Sequence, residues 1–460
     1  MADRSARART ARDARPHERV ASLPLWSPDD PARLVMWRNG VGVSLAELSR
    51  DVAALARDVP QRAAMINLCD DRYRFLVAYA AALACGQTVL LPPSRADQVV
   101  ADVERAHGAA WQCDDARVAV ALEKAGEPYR SAPRVALEQV AMIGYTSGST
   151  GLPKANPKRW SELDGGTARN LATIRAALGL PAKDVEPLPW IVATVPPQHM
   201  YGMEFTVLLP LLGGMAVHGA RPLFPADVAA ALMEVPEPRV LVSTPLHLRM
   251  LVESEQLFPR AALVVSATAP LDAALAGAVE RRLGGRVLEV FGSTETGVIA
   301  QRHTPSETAW RLYPGVTLQP MADGTLVRAP WFAAPALLPD HLEVVAPGRF
   351  VLRGRSADLI EVAGKRASLA DLTRRLQAVE GVRDAAVFQP DEEGVARVRR
   401  VAAVAVAPGL SAAQVLARLA PLVDPAFMPR PLILVEAMPR NELGKLPRAV
   451  LLRLLRGGGE

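Results

Sequence analysis

Apolar positions recur along the chain in two alternating rhythms. SLAELSRDVAALARDV, from Ser44, has the spacing of an amphipathic helix, with Ser44 as N-cap and Glu47 three positions on. The short run AAMINL follows, then the helical DRYRFLVAYAAALACG, the strand-like TVLLP and the helical ADQVVADVERAHG. Further on, WIVATVPP, MAVHGA, RVLVSTP, LVVSAT and RVLEVFG read as buried strands, with helical runs such as DAALAGAVERRLG between them. Strands alternating with helices predict an α/β fold, a large N-terminal domain of parallel-rich sheets flanked by helices. Ligands of such sheets sit in the loops beyond the carboxyl ends of the strands. From Gly354 the pattern changes: SLADLTRRLQAVEG and SAAQVLARLAPLV are helical, while DAAVFQP, VRRVAAVAVAP and RPLILVEAMP are strand-like. This is a small α+β unit. The polar RGRSAD, Arg353 to Asp358, marks the boundary, so the expected divisions are a tail over 1–25, a large domain over 26–355 and a small one over 356–460.

Composition narrows the class. Of the 460 residues half are hydrophobic and 22% charged, which describes an ordinary globular enzyme. Cys69, Cys85 and Cys113 form no CxxC pair, so neither a disulfide framework nor a zinc site is expected and a reducing cytoplasm fits. The apolar stretch Phe75 to Cys85 is shorter than the roughly 18 residues a membrane span needs. The net charge of +5 is dispersed and does not point to a nucleic-acid partner. The first 20 residues hold six arginines and no apolar run, so no secretory signal is expected there; they read as a disordered tail, with a nucleic-acid arm or a transit-like segment as the alternatives.

Six runs carry candidate chemistry. GYTSGSTGLPKAN, Gly144 to Asn156, follows the apolar VAMIGY and gathers Gly, Ser and Thr around Lys154. Backbone N–H groups in such a loop converge on an anion. The glycines are too close for a Walker loop, Pro153 precedes the lysine, and no Ser or Thr follows it. A flexible surface turn is the plain alternative. EVFGSTETGVIA offers Ser293, Thr294 and Glu295 after a strand, suited to Mg²⁺ on nucleotide phosphates or, equally, to a helix N-terminus capped by Ser293. His199 in PPQHMYGME reads by itself as a packed residue. VVSATAPLD, with Ala267, Thr268 and Ala269, would let a flat ring lie against backbone, or is a simple connection. In the stretch from Leu338 to Arg366, Asp340 can accept from ribose hydroxyls and Arg355 can meet ribose or phosphate; a charged linker reads the same way. In MPRNELGKLPRAV, Lys445 is a point charge on a long stem, as are most exposed lysines.

Taken together and in this order, the six runs resemble the adenylate-forming superfamily: acyl- and aryl-CoA synthetases, peptide-synthetase adenylation domains and luciferases. The likeness spans residues 45 to 455. It implies that Thr146, Ser147, Gly148, Ser149, Thr150, Gly151 and Lys154 cradle the β- and γ-phosphates of ATP. Ala267, Thr268, Ala269, Phe291, Gly292 and Ser293 would line the nucleotide, and Asp340 and Arg355 the ribose. Thr294 would touch the α-phosphate, Glu295 bind Mg²⁺, His199 face the acid, and Lys445 bridge the acid carboxylate and α-phosphate. The small domain would be a mobile lid turning about RGRSAD. The resemblance also implies a carboxylic acid substrate, hydroxybenzoate-like or a fatty acid, and a thiol acceptor, either CoA or the phosphopantetheine of an acyl carrier protein. A compact acyl-AMP ligase of a polyketide or aryl-polyene pathway is the narrower expectation; a degraded nucleotide-binding module is the rival. The chain departs from the family pattern at Ala357 in the hinge, Pro339 before the ribose Asp and Glu361 after the hinge.

Overall fold

A computed structural model of the chain describes residues 21–93, 95–108, 110–124, 126–147, 153–181, 188–355, 359–362, 365–390, 401–440 and 446–457. The apolar runs become strands and the amphipathic runs become helices. Ser44 and Glu47 close a reciprocal capping box on the helix Leu45–Ala56, satisfying two of the N–H groups that a helix start leaves unpaired. The helix Arg72–Ala84 is buried along almost its whole length, which explains its all-round apolarity: it packs between layers instead of on the surface.

Two sheets frame the large part of the chain. A five-stranded sheet runs in the order Ala110–Cys113, Ala64–Asn67, Thr88–Leu91, Val140–Ser147, Pro153–Arg159, parallel except for the last pair. An eleven-stranded sheet has a parallel centre in which Arg286–Ser293, Leu263–Ser266, Arg239–Ser243, Trp190–Ala193, Ala216–His218 and Leu34–Arg38 lie side by side. Antiparallel strands finish both edges, Gly297–Arg302 to Asp340–Ala346 on one side and Val41–Ser44 on the other. Helices cover the faces, and burial of each large aliphatic or aromatic side chain beneath them contributes about 1.5–3 kcal/mol.

Residues beyond 359 carry their own sheet of Asp384–Phe388, Ala402–Val406 and Leu432–Leu434, and their own apolar clusters centred on Leu376, Val415 and Leu419 and on Phe388 and Val404. The hinge reading at Ala357 lies outside the described residues. The tail expected over 1–25 does not hold for its last residues: Ser22–Pro24 pairs with Arg134–Ala136, and Leu25 and Trp26 are core residues. Three residues are too few for a periodic signal, so the strand escapes sequence reading.

Candidate active site

Two antiparallel strand pairs meet where the two large sheets adjoin. The first joins Val140–Ser147 to Pro153–Arg159, with Thr146 opposite Lys154 and Ser147 opposite Pro153. Lys154 is exposed at the rim. Gly148, Ser149, Thr150 and Gly151 lie outside the described residues. The chain leaves this loop as a strand and enters a helix only at Trp160, unlike a Walker loop.

The second turn joins Arg286–Ser293 to Gly297–Arg302. It is a β-hairpin, so the helix N-terminus that Ser293 would have capped does not form. The serine hydroxyl still orders the turn: Glu295 N–H donates to Ser293 Oγ at 3.1 Å, and Ser293 N–H donates to Thr296 Oγ1 at 3.2 Å. Gly292 permits the tight crossing, since a Cβ there would sit 2.1 Å from the Gly297 carbonyl oxygen. The two hairpins touch, because a Cβ on Gly144 would lie 2.9 Å from Thr294 Cγ2. Gly144 and Thr294 are thus brought together from 150 positions apart (294 − 144).

A buried charged group that sequence reasoning missed holds this junction. Lys158 is 6% exposed and donates from Nζ to the Glu295 carbonyl, tying the first hairpin to the backbone of the second. Glu162, Glu204 and Glu295 surround it and favour its charge, while burial pulls its pKa below the ordinary lysine value. Glu204 is itself buried. Its Oε1 accepts from Asn170 Nδ2 and Val298 N–H, both at 3.1 Å, and Tyr313 donates to Asn170 Oδ1 at 3.0 Å. Lys158, Glu204, Thr296, Met200, Trp331 and Phe332 line a cavity of about 10 Å³, the room of a single water. The only sequence signal for Lys158 is its alternation with Asn156, which faces inward like it.

Burial pushes the Glu204 carboxyl up to about 7, against the donors that favour its charged form. A carboxyl raised this way keeps protons that the unfolded chain has already released, so stability is highest below the unfolded value and falls as pH rises toward 7. Glu204→Gln keeps the acceptor oxygen and removes the titration. Chemical denaturation at pH 5 and pH 8 is expected to show the wild type losing up to about 3 kcal/mol relative to the variant across that interval. Equal losses in both proteins would refute the assignment.

The remaining candidates lie on other elements. His199 is half-buried at the N-cap position of the short helix Met200–Met203. Tyr201, two residues on, donates to the carbonyls of Ser243 at 3.2 Å and Val265 at 2.9 Å, fixing the His199 segment across two strand ends. In the turn Ala267 to Ala269, Thr268 has φ +81°, an uncommon and strained conformation for a β-branched residue and typical of ligand-contacting turns. Asp340 and Arg355 lie opposite each other on the antiparallel strands Asp340–Ala346 and Arg349–Arg355 at the sheet edge. The Phe291 ring packs on Trp310 and Phe350, centroids 5.4 and 5.6 Å away, so it supports the hairpin from the core. Lys445 lies outside the described residues.

The donor set fits a nucleotide-bound magnesium ion. Among the described residues the Glu295 carboxylate receives no hydrogen bond and forms no ion pair, and no cluster of three or more His, Cys, Asp or Glu is present. A single half-exposed carboxylate is the protein share that Mg²⁺ takes when phosphates supply other ligands.

The sequence profile of the AMP-binding enzyme family matches residues 61–329. The chain belongs to this family. The match takes in Thr146 to Lys154, His199, Ala267 to Ala269, Thr294 and Glu295. Among curated relatives, the 4-coumarate–CoA ligase of Rhodobacter capsulatus is 34% identical over 246 residues, covering 53% of this chain and 59% of that one. The chain thus spans about three fifths of that relative's length. The medium/long-chain-fatty-acid–[acyl-carrier-protein] ligase of Mycobacterium tuberculosis is 26% identical over 378 residues, covering 68% and 66%. The ATP-bound MatB of Rhodopseudomonas palustris has the same fold, with a TM-score of 0.75 at 20% identity over 94% of this chain and 97% of that one. No helix among the described residues is long and apolar enough to cross a membrane.

Proposed function

We propose that this AMP-binding enzyme is an ATP-dependent acid ligase that forms an acyl- or aryl-adenylate with release of pyrophosphate. It then passes the acyl group to a pantetheine thiol. The observation that carries the reading is the junction of the two strand pairs, which sets the strand leading into the proposed phosphate loop, at Gly144, against Thr294. A carboxylate oxygen attacks the α-phosphorus of ATP, the bond to the β-phosphate breaks, and pyrophosphate leaves. A thiol then attacks the carbonyl of the mixed anhydride and AMP departs.

Both partners of the first step are anions, so catalysis depends on charge placed before the reaction begins. Lys154 and Thr146 hold the leaving polyphosphate, and Thr294 positions the α-phosphate. Lys445 would bridge the two reacting groups. Glu295 would hold Mg²⁺, which offsets phosphate charge when bound. Lys158 fixes the Glu295 backbone and excludes its conformational alternatives. Asp340 and Arg355 would orient the ribose.

An aromatic acid is favoured as substrate by the likeness to 4-coumarate–CoA ligases, and a fatty acid is second. The acceptor is CoA or a carrier-protein arm, and the three free cysteines suit a reducing compartment such as cytoplasm. ATP–pyrophosphate exchange with a panel of aryl and alkyl acids tests this reading. Acid-dependent exchange is expected; tight ATP binding without exchange by any acid would assign the chain to nucleotide binding alone.

A further inference from the structure

At the carboxyl ends of the central parallel strands, several strands from the Thr294 turn, lies a second group of polar side chains. Arg72, the first residue of the helix Arg72–Ala84, is 2% exposed. Its Nη2 donates to the carbonyls of Ala193 and Val195, both at 3.1 Å. A guanidinium has five N–H donors, and these two bonds use two. The others, on Nε and Nη1, are buried with no acceptor among the described residues. The nearby Asp71 carboxylate pairs instead with Arg38 at 3.2 Å, and the other close charge is a second guanidinium, Arg221, which donates to the Thr194 carbonyl at 3.4 Å. Burial and then Arg221 push the Arg72 pKa down to about 9.

The surrounding groups are polar as well. Thr194 Oγ1 lies 2.9 Å from Ser243 Oγ and 3.1 Å from His247 Nδ1. Ser266 Oγ, at the end of the next strand, and Gln198 Oε1, next to His199, are buried without partners among the described residues. A buried cation beside another cation, with donors unspent, is costly unless an anion completes it. The place is where ligands of parallel sheets bind.

We propose that Arg72 and Arg221, with Thr194 and His247, form a subsite for a second carboxylate on the acid substrate, so that the acid activated here is a dicarboxylic acid. The inference rests on the ligase reading and narrows it. The strand ending at Ala193 is three strands from the one carrying Thr294, roughly 14 Å at parallel-strand spacing. One carboxylate of an extended diacid meets the α-phosphate while the other reaches the arginines. The segment Pro196 to His199 leads from the subsite to the acid side of the site.

ATP–pyrophosphate exchange without any thiol compares matched pairs: benzoate with terephthalate, hexanoate with adipate, decanoate with sebacate. Omitting the thiol removes CoA phosphates as a source of the anion. In at least one pair the diacid is expected to exceed its monoacid in kcat/KM by about 10- to 100-fold, the scale of a charge-assisted pair. Because Arg72 is fully buried, the variant made is Arg221→Met. It should bring that ratio to about one, and the preferred diacid should raise the Tm of the wild type but not of the variant. Exchange with monoacids and none with diacids overturns the subsite and leaves the ligase reading intact. A diacid preference unchanged in Arg221→Met also overturns it. Absence of exchange with every acid, ATP binding being retained, overturns both readings together.

Discussion

Replacing Lys445 by alanine is expected to lower acid-dependent ATP–pyrophosphate exchange by about 100-fold or more, the scale of losing one preorganised charge donor at a developing negative centre. The loss should appear in kcat, because the charge acts as the carboxylate and α-phosphate approach and less while ATP is merely bound. ATP affinity should change little if, as proposed, Lys154 and Thr146 hold the β- and γ-phosphates. Exchange at near-normal rates in Lys445→Ala would remove this lysine from the reacting centre. Lys154→Ala gives the complementary outcome, a raised KM for ATP with a smaller change in kcat. The two lysines are thereby separated by kinetics: one positions the departing pyrophosphate, the other serves the bond being made.

The second large effect concerns magnesium. Lys158→Met removes the donor to the Glu295 carbonyl and leaves the turn that presents the carboxylate without its cross-hairpin anchor. The Mg²⁺ concentration for half-maximal exchange should rise about 10- to 100-fold, the usual consequence of losing a group that orients a metal ligand. Folding should survive, because methionine fills the volume and no longer carries a charge that burial penalises. A merely structural lysine would give a different result, a lower Tm with an unchanged magnesium titration.

Both predictions start from residues that differ in how visible they are in the sequence. The parallel strands were legible because they are buried on both faces and read as continuous apolar runs, as Arg239–Ser243 and Leu263–Ser266 do. The helix Leu45–Ala56 was legible through Ser44 and Glu47. The strand Pro153–Arg159 was not. It contains two prolines and turns Asn156 and Lys158 inward, so its buried face is polar and its pattern resembles a loop. Its position at the sheet edge tolerates the prolines, since an edge strand has N–H groups with no ladder partner.

The same limit hides the buried charges. Hydropathy assigns charges to solvent, so Lys158, Glu204 and Arg72 read as exposed. Their burial follows from contacts over long sequence distances: Lys158 with Glu295, Glu204 with Val298, Arg72 with Ala193 and Val195. The turn Ser293 to Gly297 shows a third kind of ambiguity. Hydroxyl and carboxylate residues after a strand suit a helix cap and a hairpin equally, and the close approach of Gly292 to Gly297 accompanies the hairpin. Motif residues from Thr146 to Glu295 were visible individually, but their convergence is a property of two hairpins in different sheets.

The central claim is that a carboxylate oxygen of the acid attacks the α-phosphorus of ATP. It is tested most directly with an acid that supports exchange, labelled with ¹⁸O in both carboxyl oxygens, and hydroxylamine as the trapping nucleophile. Attack by the carboxylate places one labelled oxygen between carbon and phosphorus, and hydroxylamine then cleaves at carbon, so the released AMP carries one ¹⁸O. Unlabelled AMP, or ADP and phosphate in place of AMP and pyrophosphate, would contradict adenylate formation.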